Sequence, residues 1–215
     1  MALAALYPPR RVKFCLVDFQ RSSMLRLSKL PQAAWYVSDD DHLGHALSEI
    51  EQELRERRLA LEEARRNTSD VLDERAFIAR YPAIVFACDD FDALREPNLM
   101  PCTGRLEQLI RRERATAFHV LLTANSGDLY SCWDPWVKAL KDQQTGFLLA
   151  SHEPNDLQMF NIKLPITEAG KSVLQGQGYY ARRGYRARKL QVATIQAGAV
   201  ALAGWVEQVR QRTGG

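Results

Sequence analysis

Two adjacent aspartates, Asp89 and Asp90, follow directly on the apolar run AIVFAC. Asp18 follows the run FCLV, and Asn125 follows VLLTA. In open parallel sheets, ligands bind beyond the carboxyl ends of the strands. Mg²⁺ binds one or two carboxylates together with phosphate oxygens, and a second carboxylate can orient and deprotonate an attacking water. The pattern therefore predicts a phosphate-hydrolysing site at one edge of a sheet. The structural alternative is that the carboxylates cap the turn that follows the strand.

The elements that would position these residues alternate between strand and helix, which favours an α/β fold with a largely parallel central sheet. A long helix is predicted from Asp39, because one stripe of its residues is apolar and Asp39 is a good N-cap. We expect a basic hairpin that turns near Gly184, followed by a closing helix. The predicted strands are RVKFCLVDF (11–19), AIVFACDD (83–90), FHVLLTAN (118–125) and GFLLAS (146–151). The apolar stripe consists of Leu43, Leu47, Ile50, Leu54 and Leu61.

The composition argues against a membrane-spanning protein and against a disulfide-linked protein. The chain has 215 residues, is 46% hydrophobic and 26% charged, and has a formal net charge of +3, as is ordinary for a globular protein. No apolar run approaches the roughly 18 residues of a membrane span. The four cysteines show no CxxC pair, so they are expected to be reduced. A cytosolic protein fits these features.

Several segments resemble the FtsK/SpoIIIE family of P-loop ATPases, and most closely the tandem ATPase domains of the EccC-type motor of type VII secretion. RVKFCLVDFQR is similar to the strand after the P-loop helix of that family, and AIVFACDDFDAL to its Walker B strand. RLEQLIRRERATAFHVLLTAN is similar to its helix and sensor strand. The closing segments also match in order, so the resemblance covers nearly the whole chain.

The resemblance implies a RecA-like P-loop NTPase core that uses ATP and Mg²⁺, with a role for each site residue. Asp89 matches the carboxylate on the Mg²⁺ side of Walker B. Asp90 matches the catalytic base, where relatives in the DNA-motor branch usually carry Glu. Asn125 matches the sensor that positions the γ-phosphate or the water. The family can present arginines to a neighbouring subunit from the positions of Arg111, Arg112 and Arg114, for which solvated helix charge is the alternative.

The P-loop motif itself, G-x-x-x-x-G-K-[ST], does not occur in the 215 residues. Gly170, Lys171 and Ser172 spell its last three residues, but Pro165 stands where the first glycine would be. We therefore expect a domain that lacks the Walker A strand and loop, and ATP hydrolysis by this chain alone is predicted to be negligible. In the family fold, the missing strand lies between FHVLLTAN and GFLLAS, which predicts unpaired edges there and self-association.

Taken together, the prediction is one truncated or degenerate ATPase domain over residues 1–215. It would be the C-terminal ATPase module of a type VII secretion motor, in contact with neighbouring ATPase domains and with secreted protein substrates. It would be cytoplasmic, at the inner face of the cell membrane through a parent motor, with no span of its own. The alternatives are a fragment of a DNA translocase, or a nucleotide-free module that binds proteins.

Two further groups of residues have alternatives of their own. His42 and His45 stand three apart on the predicted helix, near Asp39 and Asp41, where they would either bind zinc or be ordinary surface histidines. The segment YYARRGYRARK (179–189) concentrates basic and aromatic residues. It predicts either a nucleic-acid surface or a solvated hairpin.

Overall fold

The computed structural model describes residues 2–21, 24–68, 71–164, 171, 173–174, 176–192 and 198–213. These residues form two compact units. The first unit is Met1–Thr123 together with Ala197–Gly215, and the second is Ala124–Gln196.

The first unit contains a parallel sheet with helices on both faces. Its strands are β1 (Val12–Val17), β2 (Ala33–Val37), β3 (Ala83–Cys88) and β4 (Phe118–Leu122). Its α-helices are α1 (Ala2–Leu6), α2 (Asp40–Asn67), α3 (Glu74–Ile78), α4 (Met100–Arg112) and, at the end of the chain, α8 (Gly198–Thr213). Short 3₁₀ turns occupy Leu27–Lys29, Ala93–Arg95, Pro97–Leu99 and Glu113–Thr116.

The sheet of the first unit has the order β2-β1-β3-β4 among the described strands, and all of its pairs are parallel. The strands end in register. Val17 of β1 lies opposite both Val37 of β2 and Cys88 of β3, and Cys88 lies opposite Leu122 of β4. The residues that follow all four strands therefore meet at one edge. The predicted α/β fold with a mostly parallel sheet is confirmed.

Both faces of this sheet are covered, as a parallel sheet requires. On one face, Phe14 and Val85 belong to a buried cluster that also contains Val206 and Val209 of α8. On the other face, Cys15, Ile84 and Phe86 have no exposed surface. Helices α2 and α4 pack against each other on this side, α2 also against β2 and α4 against β4.

Helix α2 begins where its sequence predicts. Asp39 is the N-cap, and its carboxylate accepts the backbone N–H of His42 at 2.9 Å. This hydrogen bond is the main reason that the pKa of Asp39 lies below its ordinary value. The apolar stripe predicted for this helix is buried along its whole length. The stripe consists of Leu43, Leu47, Ile50, Leu54 and Leu61.

One charged residue, Arg57, lies within this buried face and is only 1% exposed. Its Nη1 donates to the backbone carbonyl of Thr116 at 2.9 Å, and its Nη2 donates to Glu53 at 2.6 Å. Glu53 also accepts from Lys13 of β1 at 2.9 Å. Burial acts to raise the pKa of Glu53, but the hydrogen bonds from Lys13 and Arg57 outweigh it and hold the pKa below its ordinary value. Arg57 thereby connects α2 to the segment that leads into β4.

The second unit contains a small antiparallel sheet of order β5-β6-β7 among its described strands. The strands are β5 (Gly146–Leu149), β6 (Gln177–Ala181) and β7 (Arg188–Gln191), and the α-helices are α5 (Ser126–Ser131), α6 (Pro135–Lys141) and α7 (Pro154–Met159). The hairpin of β6 and β7 turns at Gly184, whose φ of 80° is favourable for glycine. The predicted hairpin is confirmed, and so is the closing helix α8.

One strand prediction was wrong, and one strand was not predicted. GFLLAS was predicted to join the largely parallel sheet, but β5 pairs antiparallel with β6 in the second sheet. The fourth strand of the parallel sheet is β2, which had not been predicted. Its residues are mostly half-buried, so its apolar pattern is weak. Among the described residues, no helix combines the length and the apolarity needed to cross a lipid bilayer.

The packing of α2 can be tested by a matched pair of substitutions. Leu54 has no exposed surface, whereas Leu59 on the same helix is 56% exposed. We expect Leu54→Ala to lower the free energy of unfolding by about 2–5 kcal/mol, because it leaves a cavity in the core. Leu59→Ala should change it by less than about 0.5 kcal/mol. Urea denaturation followed by circular dichroism measures both, and equal effects of the two variants would contradict the assigned face.

Candidate functional site

The carboxyl edge of the parallel sheet brings together the residues that follow its strands. Asp18 follows β1, Ser38 follows β2, Asp89 follows β3 and Thr123 follows β4. The register described above places these positions side by side. The two aspartates predicted from β1 and β3 therefore lie at the same edge of adjacent strands.

Asp89 is exposed and is held from the neighbouring strand. The hydroxyl of Thr123 donates a hydrogen bond to Asp89 Oδ1. This contact fixes one carboxylate oxygen, while the exposed position of the residue leaves the carboxylate accessible to solvent. The arrangement suits a carboxylate that must point in a defined direction and still reach a ligand.

Asp90 is half-buried and contacts the segment after β1. Its Oδ2 accepts the backbone N–H of Gln20 at 3.4 Å, a long and hence weak hydrogen bond. Asp89 and Asp90 thus face different neighbours: Asp89 contacts the β4 side and Asp90 the β1 side. This division is consistent with two carboxylates that have different tasks.

Asp18 is fully buried, unlike the other two aspartates. Its Oδ2 accepts the backbone N–H of Met24 at 3.0 Å and the hydroxyl of Tyr36 at 3.2 Å. Burial, and then the charge of Asp18, raise the pKa of Tyr36, so the phenol stays neutral and donates. The contacts of Asp18 connect the end of β1 to Met24 and to β2, so its carboxylate holds the backbone at this edge.

Asn125, the residue predicted as the sensor, belongs to the second unit. It is the N-cap residue of α5, but its side chain makes no capping hydrogen bond. Its role stays a prediction. The residue that contacts Asp89 is Thr123, which sequence reasoning missed. The available signal was simple, because Thr123 is the first polar residue after the apolar run of β4.

The other candidate groups are arranged as follows. His42 Nδ1 lies 2.6 Å from both carboxylate oxygens of Asp39, and His45 Nε2 lies 3.1 Å from Glu49. All four cysteines are reduced thiols, as predicted, and burial raises the pKa of Cys88 to about 12, so its thiol is not a nucleophile at neutral pH.

The three arginines that the resemblance implies, Arg111, Arg112 and Arg114, lie on α4 or just after it. Arg111 donates to Glu107 one turn earlier on the same helix, at 2.8 Å. Arg112 is exposed. Nothing is described of the Arg114 side chain, and Gly170 and Ser172 of the G-K-S triplet lie outside the described residues.

The oxygen donors at this edge fit Mg²⁺, which prefers carboxylates and phosphate oxygens. In the described part of the chain, no group of three His, Cys, Asp or Glu residues lies close enough to hold a metal ion. A cation at Asp89 would therefore take its further ligands from phosphate oxygens or water.

A cavity of about 270 Å³ opens beside the ends of β1 and β2. Three carboxylates line it, from Asp39, Asp40 and Glu96, together with apolar surface from Phe19 and Leu99. Like charges repel, so this cavity is unsuitable for nucleotide phosphates.

The described strands and helices form a mixed α/β fold with a mostly parallel sheet, and this fold is similar to the P-loop ATPase domains of EssC and EccC. No family model matches the chain. The ESX secretion system protein EccC of Geobacillus thermodenitrificans is 22% identical over 161 residues, which are 75% of this chain and 10% of that protein.

Solved structures of related motors share the fold. The cytoplasmic domain of EssC superposes with a TM-score of 0.69 at 19% identity, covering 86% of this chain and 34% of that one. ATPases 2 and 3 of Thermomonospora curvata EccC, in complex with a signal sequence peptide, give a TM-score of 0.59 at 18% identity, covering 89% and 32%. The resemblance to EccC-type ATPase domains is confirmed, and the chain spans about a tenth of the length of the curated relative that it matches.

The buried position of Asp18 leads to a prediction on stability. We expect Asp18→Ala to lower the free energy of unfolding by about 1–3 kcal/mol, because the N–H of Met24 and the hydroxyl of Tyr36 lose their acceptor. Tyr36→Phe removes one of these bonds and should cost about 1 kcal/mol. Asp92→Ala is the control, because the Asp92 side chain is 79% exposed. If Asp18→Ala is as stable as this control in urea denaturation, Asp18 does not hold the edge.

Proposed function

We propose that residues 1–215 are one ATPase domain, truncated or degenerate, that acts as the C-terminal ATPase module of a type VII secretion motor. The observation that carries the proposal is the pair Asp89 and Asp90 at the carboxyl edge of a sheet whose fold is that of EssC and EccC. The module would work on the cytoplasmic side of the membrane, as part of a larger motor.

Within this proposal, the two carboxylates have separate roles. Asp89, oriented by Thr123, would bind on the Mg²⁺ side of a bound nucleotide. Asp90 would hold and deprotonate the attacking water, and Asn125 would position the γ-phosphate or the water. When bound, the metal neutralises charge on the phosphates. Because Asp is shorter than the Glu usual in DNA motors, the water would sit closer to β3, which disfavours efficient hydrolysis.

Protein substrates are favoured over DNA by the relatives. The EccC structure that shares this fold contains a signal sequence peptide. The modest net charge of +3 neutralises few phosphates of a duplex. We therefore propose secreted proteins as the substrate of the whole motor and neighbouring ATPase domains as partners of this module. A fragment of a DNA translocase is the alternative within the same fold class.

A nucleotide-free interaction module is the second candidate, and two observations favour it. The 215 residues contain no P-loop motif, whose backbone amides and lysine would cradle the β- and γ-phosphates. Asp89 and Asp90 also already accept hydrogen bonds from Thr123 and Gln20. Nucleotide binding separates the two candidates.

We expect this chain alone to bind Mg²⁺·ATP weakly and to hydrolyse it negligibly, because the phosphate cradle is missing. Binding of a fluorescent ATP analogue should require Mg²⁺ and should be lost in Asp89→Asn. It should be unchanged in the control Asp92→Asn, which alters an exposed carboxylate of the same segment. Binding with no response to Mg²⁺ or to Asp89→Asn would favour the interaction module. Steady-state turnover that vanishes in Asp90→Asn would disprove the predicted inactivity.

We propose that other domains assemble at β4, one of the two edge strands of the parallel sheet among the described strands. The bonds from Ile84 N–H to Ala117 O and from Thr123 N–H to Cys88 O set the ladder between β3 and β4. The backbone N–H and C=O groups of successive residues point to opposite sides of a strand, so those of Val120 point away from β3. Leu121 on this strand is 49% exposed. Such an edge is a template for another strand.

We therefore expect concentration-dependent self-association that Leu121→Lys weakens, because a charge on an edge strand opposes strand addition. Leu59→Lys is the control, since Leu59 is also exposed but lies on α2. Sedimentation velocity across a dilution series measures the effect. A monomer at every concentration, with strong amide protection in 118–122 and 146–149, would show that this chain needs no partner strand.

A further inference from the structure

Among the described residues of the second unit, the sheet β5-β6-β7 has one face that packs on a small core and one face, called the open face below, with exposed apolar side chains. Leu148 and Tyr179 point into a small core with Ile162 and Ala181. The residues that alternate with them point the other way. The open face carries two rows in register, Phe147–Tyr180–Arg188 and Leu149–Gly178–Leu190.

Aromatic rings lie side by side on this open face. The ring centroids of Phe147 and Tyr180 are 5.1 Å apart, with the ring planes tilted by 37°. Phe147 is 57% exposed and Leu149 is 47% exposed. Single exposed apolar side chains are common, but adjacent ones that form a contiguous patch are typical of a binding surface.

Gly178 keeps the centre of the face flat. A Cβ atom on Gly178 would lie 2.1 Å from the backbone carbonyl oxygen of Leu148 and 2.9 Å from Leu149 Cα. The close packing of β5 against β6 therefore requires glycine. Gly178 itself is buried, so the more open part of this face is the row Phe147–Tyr180–Arg188.

The hairpin that borders this face contributes only positive charge. Arg188 stands directly opposite Tyr180 in the register, and Arg182, Arg183 and Arg186 follow around the hairpin turn. No acidic residue occurs in the sequence between Glu168 and Glu207. None of these four arginines has an ion pair with a carboxylate of the described residues. The surface is therefore complementary to an anion.

We propose that this open face binds single-stranded nucleic acid, with bases stacked on Phe147 and Tyr180 and phosphates bound by the arginines of the hairpin. A strand of nucleic acid combines planar apolar rings with a regular series of negative charges, and both are matched here. Sheet faces with adjacent aromatic residues and flanking arginines are suited to stacking unpaired bases. The bases of a duplex are already paired and stacked, so they cannot stack on Phe147 and Tyr180. A duplex would therefore bind this face only through the charge of its phosphates.

An anionic membrane fits the surface less well. Membrane-binding loops place an aromatic ring at a protruding tip, within the lipid headgroups. The tip residue here is Tyr185, and one face of its ring is covered by the guanidinium of Arg182 at 4.8 Å. The two adjacent rings are instead on the flat face of the sheet.

Fluorescence anisotropy of the full chain with labelled oligothymidylate of about 12 nucleotides tests the proposal. Phe147→Ala should weaken binding about 5- to 100-fold, whereas Phe147→Tyr should retain it. Tyr130→Ala is the matched control, because Tyr130 is an exposed aromatic on α5 of the same unit and should have no effect. Circular dichroism establishes that each variant is folded.

Arg188→Ala should weaken binding and should reduce the slope of log affinity against log salt concentration by about 0.7. Arg112→Ala is the control, and it should change neither the affinity nor the slope. The matching duplex should bind more weakly and should not respond to Phe147→Ala. Three results would overturn the proposal: no binding of the single strand at low salt, equal losses for Phe147→Ala and Tyr130→Ala, or binding of phosphatidylserine vesicles without binding of oligonucleotide.

Discussion

The shared register of the four parallel strands is the constraint on which the candidate site depends. Val17, Val37, Cys88 and Leu122 lie in one row across the sheet. A slip of one residue between β1 and β3 would turn Phe86 and Cys15 toward opposite layers, since side chains alternate along a strand. The helices on both faces therefore fix the register, and the register places Asp18, Asp89 and Thr123 next to one another.

Each acidic residue at this edge is bonded to a group from a neighbouring strand or loop. Asp18 accepts from Tyr36 on β2, Asp90 accepts from Gln20 after β1, and Asp89 accepts from Thr123 after β4. These bonds cross the sheet in series, so the directions of the carboxylates depend on all four strands. Such preorganisation is what a site for charge stabilisation needs, because little reorganisation remains when a ligand arrives.

The sequence was sufficient for some of these features and insufficient for others, for physical reasons. The stripe of α2 and the strands β1, β3 and β4 were predictable, because long periodic or fully apolar segments have few alternatives. Strand β2 was missed because its half-buried residues give no clear alternation. Strand β5 was assigned to the wrong sheet, since Phe147 and Leu149 are apolar yet exposed, and pairing between distant strands leaves no local signal. The contact of Thr123 with Asp89 depends on the same non-local pairing.

The burial of Arg57 has a consequence for how the first unit responds to ions in solution. Mobile ions screen exposed charge pairs over a distance of about 8–10 Å, but they act much less on a guanidinium that water does not reach. The hydrogen bonds of Arg57 to Thr116 and Glu53 should therefore keep their strength as salt is added. The attachment of α2 to the segment before β4 is thus expected to be insensitive to ionic strength. Salt should therefore act on the outer, solvated charges of the first unit more than on this attachment.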